Sequence, residues 1–157
     1  MTEKDKPQLD KLENFILGGT QRPIKYIETI QVKEGVEGDV YSFVDDDTKD
    51  LAIVRVQKGF KTPLQRILKG NCTTEGFVSG KGSLTVTSND GTSQTFDYDD
   101  SGTIDTPGVV VEVGQLMQWS ADNDLEFYEI CDPPYEDGRF ENLKDESKNL
   151  EVRKDLF

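Results

Sequence analysis

From Pro23 onward, apolar residues recur at every second position in short runs separated by turn residues. PIKYIETIQV (Pro23 to Val32), DVYSFV (Asp39 to Val44) and LAIVRVQKG (Leu51 to Gly59) alternate as half-buried strands do. The acidic run DDDTKD between the last two reads as a turn. A further strand pair is expected in GFVSGKGSLTVTS, then a turn at Asn89-Asp90-Gly91-Thr92, the strand SQTFDY and the acidic loop DDSGTIDTPG. The stretch from Val109 to Leu143 holds the last two strands. Val109, Val111 and Val113 alternate with Val110 and Glu112, Gly114 interrupts, and LMQWSA leads through an Asp/Asn-rich turn to LEFYEIC. A glycine there reads as a corner. About eight to ten short strands with no helix between them indicate an all-β antiparallel sandwich or barrel.

The ends have a different pattern. Leu9, Leu12, Phe15 and Ile16 stand at helical spacing ahead of Gly18-Gly19, which predicts a short docking helix with a glycine stop. Beyond Pro133-Pro134 the chain is charged, with Phe140, Leu143, Leu150, Leu156 and Phe157 as isolated apolar points on an expected surface segment. The organisation read from this is an N-terminal arm over 1–22, a barrel domain over 23–135 and a charged tail over 136–157.

Composition narrows the partners. The 157 residues fit one domain with its own core, and 31 acidic against 18 basic residues give a net charge of -13. Such a field repels phosphate backbones and anionic lipid, so neither nucleic acid nor membrane is an expected partner. No run reaches the roughly 20 apolar residues of a membrane span, and MTEKDKPQLDKLENF lacks the apolar core of a secretion signal. A cytoplasmic location is expected. Cys72 and Cys131 then read as two thiols. The chain has no histidine, which excludes Ser-His, Cys-His and His-metal chemistry and leaves carboxylates, lysine, tyrosine or cysteine for acid/base work.

Three stretches together resemble the cupin family of small jelly-roll barrels, built on a double-stranded β-helix. GFKTPLQRILKGNCTTEGFVSGKG (Gly59 to Gly82) is similar to the first cupin motif, in which His-x-His and a glutamate are spaced between glycines. VEVGQLMQWSA (Val111 to Ala121) is similar to the second motif, P-x-G-x-x-H, and FYEICDPPYEDGRFENL resembles the closing strand and tail of single-domain cupins. The resemblance covers roughly residues 40 to 143 and implies a cupin-like barrel with short helical or irregular ends. It also implies that the four metal-ligand positions fall on Gln65, Ile67, Thr73 and Met117. None of these supplies the imidazole or carboxylate that such sites need, so neither metal nor other cofactor is expected. A homodimer is expected, because similar cupins commonly pair through their barrels.

If Thr73 points inward, as the resemblance implies, alternation turns Glu75 and Phe77 inward too. Gln65, Thr73, Phe77, Met117, Gln118 and Trp119 then become the candidate ligand-binding residues, and Glu75 the candidate acid/base. The competing reading has Glu75 in solvent beside Lys81, Met117 as core filler and Trp119 as packing. DYDDSGTIDTPG (Asp97 to Gly108) spaces oxygen side chains as a calcium loop does, but Gly108 stands where a bidentate glutamate is needed, so an acidic connection is preferred. Arg139, among Glu136, Asp137 and Glu141, reads as a surface ion-pairing residue, with a site role for it or Tyr135 as the alternative. Cys131 reads as a buried thiol rather than a nucleophile. Three functions follow: a metal-independent barrel binding a small polar molecule, carbohydrate or small acid; a metal-free isomerase, epimerase or lyase, with Glu75 paired to Lys69, Tyr128 or Tyr135; and a solidly packed structural or interaction protein. The direction of Glu75 and Gln65 separates the first two from the third.

Overall fold

A computed structural model describes residues 11–17, 19–100, 108–135 and 139–143. The calcium-like spacing at Ser101, Gly102, Ile104 and Asp105 lies outside the described residues, as do Leu9, Leu150, Leu156 and Phe157.

Twelve strands are present among the described residues: β1 (Asn14–Leu17), β2 (Thr20–Lys33), β3 (Val36–Phe43), β4 (Asp46–Val56), β5 (Leu64–Ile67), β6 (Cys72–Ser79), β7 (Lys81–Thr87), β8 (Ser93–Asp99), β9 (Val109–Glu112), β10 (Leu116–Ala121), β11 (Leu125–Asp132) and β12 (Phe140–Leu143). They form one sheet in the order β1-β2-β3-β4-β11-β6-β9 and a second in the order β12-β5-β10-β7-β8, with antiparallel pairing throughout. The two-residue period is plain in β7 and β10, where buried positions alternate with half-exposed or exposed ones.

The main core lies between the sheets. Trp119 stacks on Phe127 with ring centroids 4.4 Å apart, Phe77 stacks on Tyr98 at 5.2 Å, and Ile67, Leu84, Val111 and Met117 fill the space around them. A second cluster covers the opposite face of the larger sheet, where Phe15 and Leu17 of β1 pack with Tyr41, Leu51, Ile53 and Ile130. The larger sheet is therefore buried on both faces near its centre, which explains the unbroken apolar run Leu51–Val54 in β4.

Gly114 has φ +93°, and a Cβ there would stand 2.8 Å from Asn89 Oδ1. The corner between β9 and β10 requires glycine for both reasons. The N-terminal apolar residues form strand rather than helix: Asn14–Leu17 pairs with Thr20–Pro23. Helical spacing at four positions is a weak local signal, and pairing with the neighbouring strand decides for β structure. Phe140–Leu143 of the expected surface segment is likewise a strand, paired with β5. The acidic run at 45–50 is mostly strand as well, since β4 begins at Asp46.

Candidate functional site

The positions implied by the cupin resemblance do converge. Gln65 and Ile67 alternate along β5, Met117 on β10 pairs directly with Gln65, and Thr73 reaches from β6 in the other sheet to place its hydroxyl 3.9 Å from the Met117 sulfur. Ile67 and Thr73 are fully buried and Met117 nearly so, making this a neutral core contact. A divalent metal does not fit these side chains, which offer no anionic or imidazole donor. Among the described residues no group of three His, Cys, Asp or Glu side chains is arranged to hold a metal ion.

A cavity of about 650 Å³ opens beside that contact, between the larger sheet and the β5–β12 edge of the smaller one. Val36, Val40, Val54, Phe127 and Phe140 supply apolar walls, Ile30 and Val32 of β2 flank it, and Thr62, Gln65 and Asn142 add neutral polar groups. Gln65 is held by its own hydrogen bond, its Nε2 donating to Asn142 Oδ1 at 3.0 Å. Thr73, Phe77, Met117 and Trp119 do not line this cavity but pack in the core. Gln118 has the opposite parity to Trp119 on β10, and its Nε2 donates to the Thr62 carbonyl at 3.0 Å. Tyr128 is on the far face of the larger sheet, edge-on to Phe15 and lying over Gly76, where any Cβ would collide with its ring. Lys69 is exposed, while Tyr135 lines the cavity beside Phe140.

Glu75 is fully buried. Its Oε1 accepts the Trp119 indole N–H at 2.9 Å, and its Oε2 meets no donor among the described residues. Register explains what Oε2 faces: Glu75 on β6 is directly opposite Glu129 on β11, and Glu129, half-buried, lines the cavity. Burial pushes the Glu75 carboxyl well above the usual carboxylate range, and the charge of Glu129 with the hydrogen bond between the two carboxyls raises it further. The Trp119 and Thr73 bonds only partly oppose this. Glu129 is also raised, by burial first, then by the charge of Asp50 against the relief it takes from the Glu75 bond. Burial and the charge each carboxyl sees thus favour a proton on the pair, with the Glu75 carboxyl the more strongly raised of the two.

Two further groups complete the floor. The Cys131 thiol lies 3.7 Å from Glu129 Oε1 and donates to it, and burial plus the nearby charges of Glu129 and Asp50 push that thiol far up, away from thiolate chemistry. Both cysteines are free. Asp50, cross-strand from Cys131, accepts the Tyr135 backbone N–H at 2.9 Å, and burial raises its carboxyl against that bond. Arg139 is not a surface ion-pairing residue. It is 1% exposed, and its Nη atoms donate to the carbonyls of Pro133, Cys72 and Asp132 at 2.8, 2.6 and 3.2 Å. From there its charge acts on Glu129 and Asp50.

Sequence reasoning missed Glu129 and Asp50, while Cys131 is the buried thiol it was expected to be. A signal for Glu129 was available: Leu125, Phe127, Glu129 and Cys131 share one face of LEFYEIC, so a carboxylate stands in an otherwise apolar row, as Glu75 does between Thr73 and Phe77.

No family model matches the chain, and no curated protein does. Solved structures do. Oxalate decarboxylase from Bacillus subtilis superposes with a TM-score of 0.59 at 24% identity, covering 83% of this chain and 35% of that one. CapF, solved with the inhibitor 3-isopropenyl-tropolone, gives 0.55 at 15% identity over 81% of this chain and 35% of its own. Salicylate 1,2-dioxygenase from Pseudoaminobacter salicylatoxidans, solved with gentisate, gives 0.51 at 15% identity over 65% of this chain and 26% of its own. The chain spans about a third of the length of these proteins or less, and at such identities the likeness concerns the fold. By two curled antiparallel sheets, the convergence of the two motif regions and this similarity over most of its length, the chain has the cupin fold.

Proposed function

We propose that this cupin-fold protein binds a small polar molecule in the barrel cavity, without a resident metal. The observation that carries the reading is the cavity itself, with Glu129 lining it between apolar walls and the buried Glu75 carboxyl directly behind. Concave apolar spaces with a few converging polar groups are the usual form of small-molecule sites, and a solidly packed barrel would not leave one. Of the two ligand classes expected from the sequence, a small acid is disfavoured, because Glu28, Asp50 and Glu129 line the space and would repel an anion. A neutral hydroxylated molecule, whose hydroxyls donate to Glu129 and accept from Gln65 or Asn142, suits the lining better.

A second reading is favoured by the pair alone. A carboxylate that opens on a cavity and is backed by a protonated carboxyl can take and return a proton, so Glu129, with Glu75 as its proton partner, would serve a metal-free isomerase, epimerase or lyase. Glu129 rather than Glu75 would then touch the substrate.

The test fills the cavity. Ala52 lines it directly opposite Glu129, so Ala52→Phe should abolish retention of any molecule that native mass spectrometry detects on the wild-type protein, with the circular dichroism spectrum unchanged. Equal retention by the filled variant would place binding elsewhere and overturn the reading. Exchange of a bound molecule's C–H protons with deuterated solvent, lost in Glu129→Gln, would distinguish catalysis from binding alone.

A further inference from the structure

We infer that the barrel cavity selects an organic cation, a protonated primary amine on an apolar body; this rests on the proposal that the cavity binds a small molecule at all. Three carboxylates reach it from three strands, Glu28 on β2, Asp50 on β4 and Glu129 on β11, and no lysine or arginine is among the described residues that line it. A polar cavity that bound anions or served neutral sugars alone would have no need of such an imbalance.

The placement of the carboxylates suits a single ammonium group. Glu129 pairs with Ala52 and Cys131 pairs with Asp50, so Glu129 and Asp50 are diagonal neighbours on one face of the sheet, close enough that the Asp50 charge disfavours that of Glu129, with Arg139 relieving both only from outside the cavity lining. A cation between them removes that repulsion and supplies three N–H donors to acceptor-only groups. Glu28 faces Val40 across β2 and β3 in the same cross-strand row as Ala52 and Glu129, nearer solvent, where it would meet the ligand first. Ile30, Val32, Val40, Val54 and Phe127 then enclose an aliphatic or aromatic body. A metal ion is a poorer occupant, because the described carboxylates do not close into a ligating group and the remaining lining is largely apolar.

Isothermal titration of the whole chain with phenethylamine, phenethyl alcohol and phenylacetate tests the charge at constant shape. The amine should bind about tenfold or more tightly than the alcohol, and phenylacetate should not bind. Glu129→Gln should remove most of the amine's advantage, and Glu28→Gln, an exposed change that leaves the fold unaffected, should remove a smaller part. An alcohol that binds as well as the amine would overturn the cation inference while leaving the cavity as a binding site. Preferential binding of phenylacetate, or displacement of the amine by stoichiometric calcium or manganese, would overturn it too. No binding of any probe, together with equal ligand retention by Ala52→Phe, would remove both proposals.

Discussion

Asp39 and Glu75 are both carboxylates withdrawn from solvent, 3% and 0% exposed, on opposite faces of the same sheet. Asp39 is held by cations: Arg55 donates to both its oxygens at 2.8 and 3.1 Å, Lys11 adds a bond of 3.1 Å, and the Thr29 hydroxyl one of 2.6 Å. Burial alone would raise its carboxyl, yet these bonds bring it down to about 2. Glu75 has the reverse arrangement. Its neighbours are an indole, a threonine and another carboxylate, and its carboxyl rises. Asp39 ties the β2–β3–β4 face together, as a paired buried ion does. An acid left without a cation contributes nothing to stability that a leucine would not exceed, and such groups concentrate at sites of binding or proton transfer. One face of the sheet thus holds its buried acid with cations, and the other holds its acid without one.

Breaking the cationic side should have the largest effect. Arg55→Leu strands Asp39 and should lower unfolding stability in urea by about 2–3 kcal/mol, less than the loss of a fully enclosed pair because Arg55 is partly in solvent and Lys11 and Thr29 remain. An unchanged midpoint would mean that Asp39 is not held by Arg55.

The two carboxylates should also give pH profiles of opposite sign. Asp39 has a folded value below its ordinary 3.8, so its stabilisation is complete above that value and is lost as pH falls through about 2. The loss should be about 1–2 kcal/mol in wild type and absent in Asp39→Asn. For Glu75 the folded value lies above the ordinary 4.5, so the folded state is favoured at and below that pH and loses stability as pH rises through the raised value.

Glu75→Gln sharpens that second profile. The amide keeps the acceptor for Trp119 and a donor toward Glu129, so it mimics the protonated carboxyl. The variant should match wild type in mild acid and exceed it by about 1–3 kcal/mol at alkaline pH, where the wild-type oxygen loses its proton and its partner. Parallel profiles would show that Glu75 does not titrate. The smallest effect belongs to the exposed Asp45, paired with Arg22 at 3.1 Å: Asp45→Ala should leave the thermal midpoint unchanged within error.

The longer strands of the barrel and the shared face of Thr73, Glu75 and Phe77 were legible because alternation is a local property; that this face points inward was implied only by the cupin resemblance. Each run of five or more residues carries its own period, and Thr73, Glu75 and Phe77 follow it. The lack of metal-ligating side chains at the cupin positions was equally readable, since the chain has no histidine to place there. The strands β1, β5 and β12 were not, because, unlike the valine-rich β9, they carry no clear run of β-branched residues and their pairing depends on an edge formed elsewhere. Arg139 was read as a surface residue because its neighbours in the chain are acidic, whereas its partners are three backbone carbonyls made accessible by the turn after β11 and by the absence of a side chain at Gly70.

The sequence by itself determined that Thr73, Glu75 and Phe77 share one face, and the structure decided that this face is the enclosed one. Only the tertiary structure decided what encloses it. Glu129 stands opposite Glu75, and Asp50 diagonal to Glu129 on its other side, through the registers of β11 with β6 and β4. Those registers join residues more than fifty positions apart, and they follow from the packing of two sheets around Trp119 and Phe127, a long-range balance that no local pattern of side chains contains.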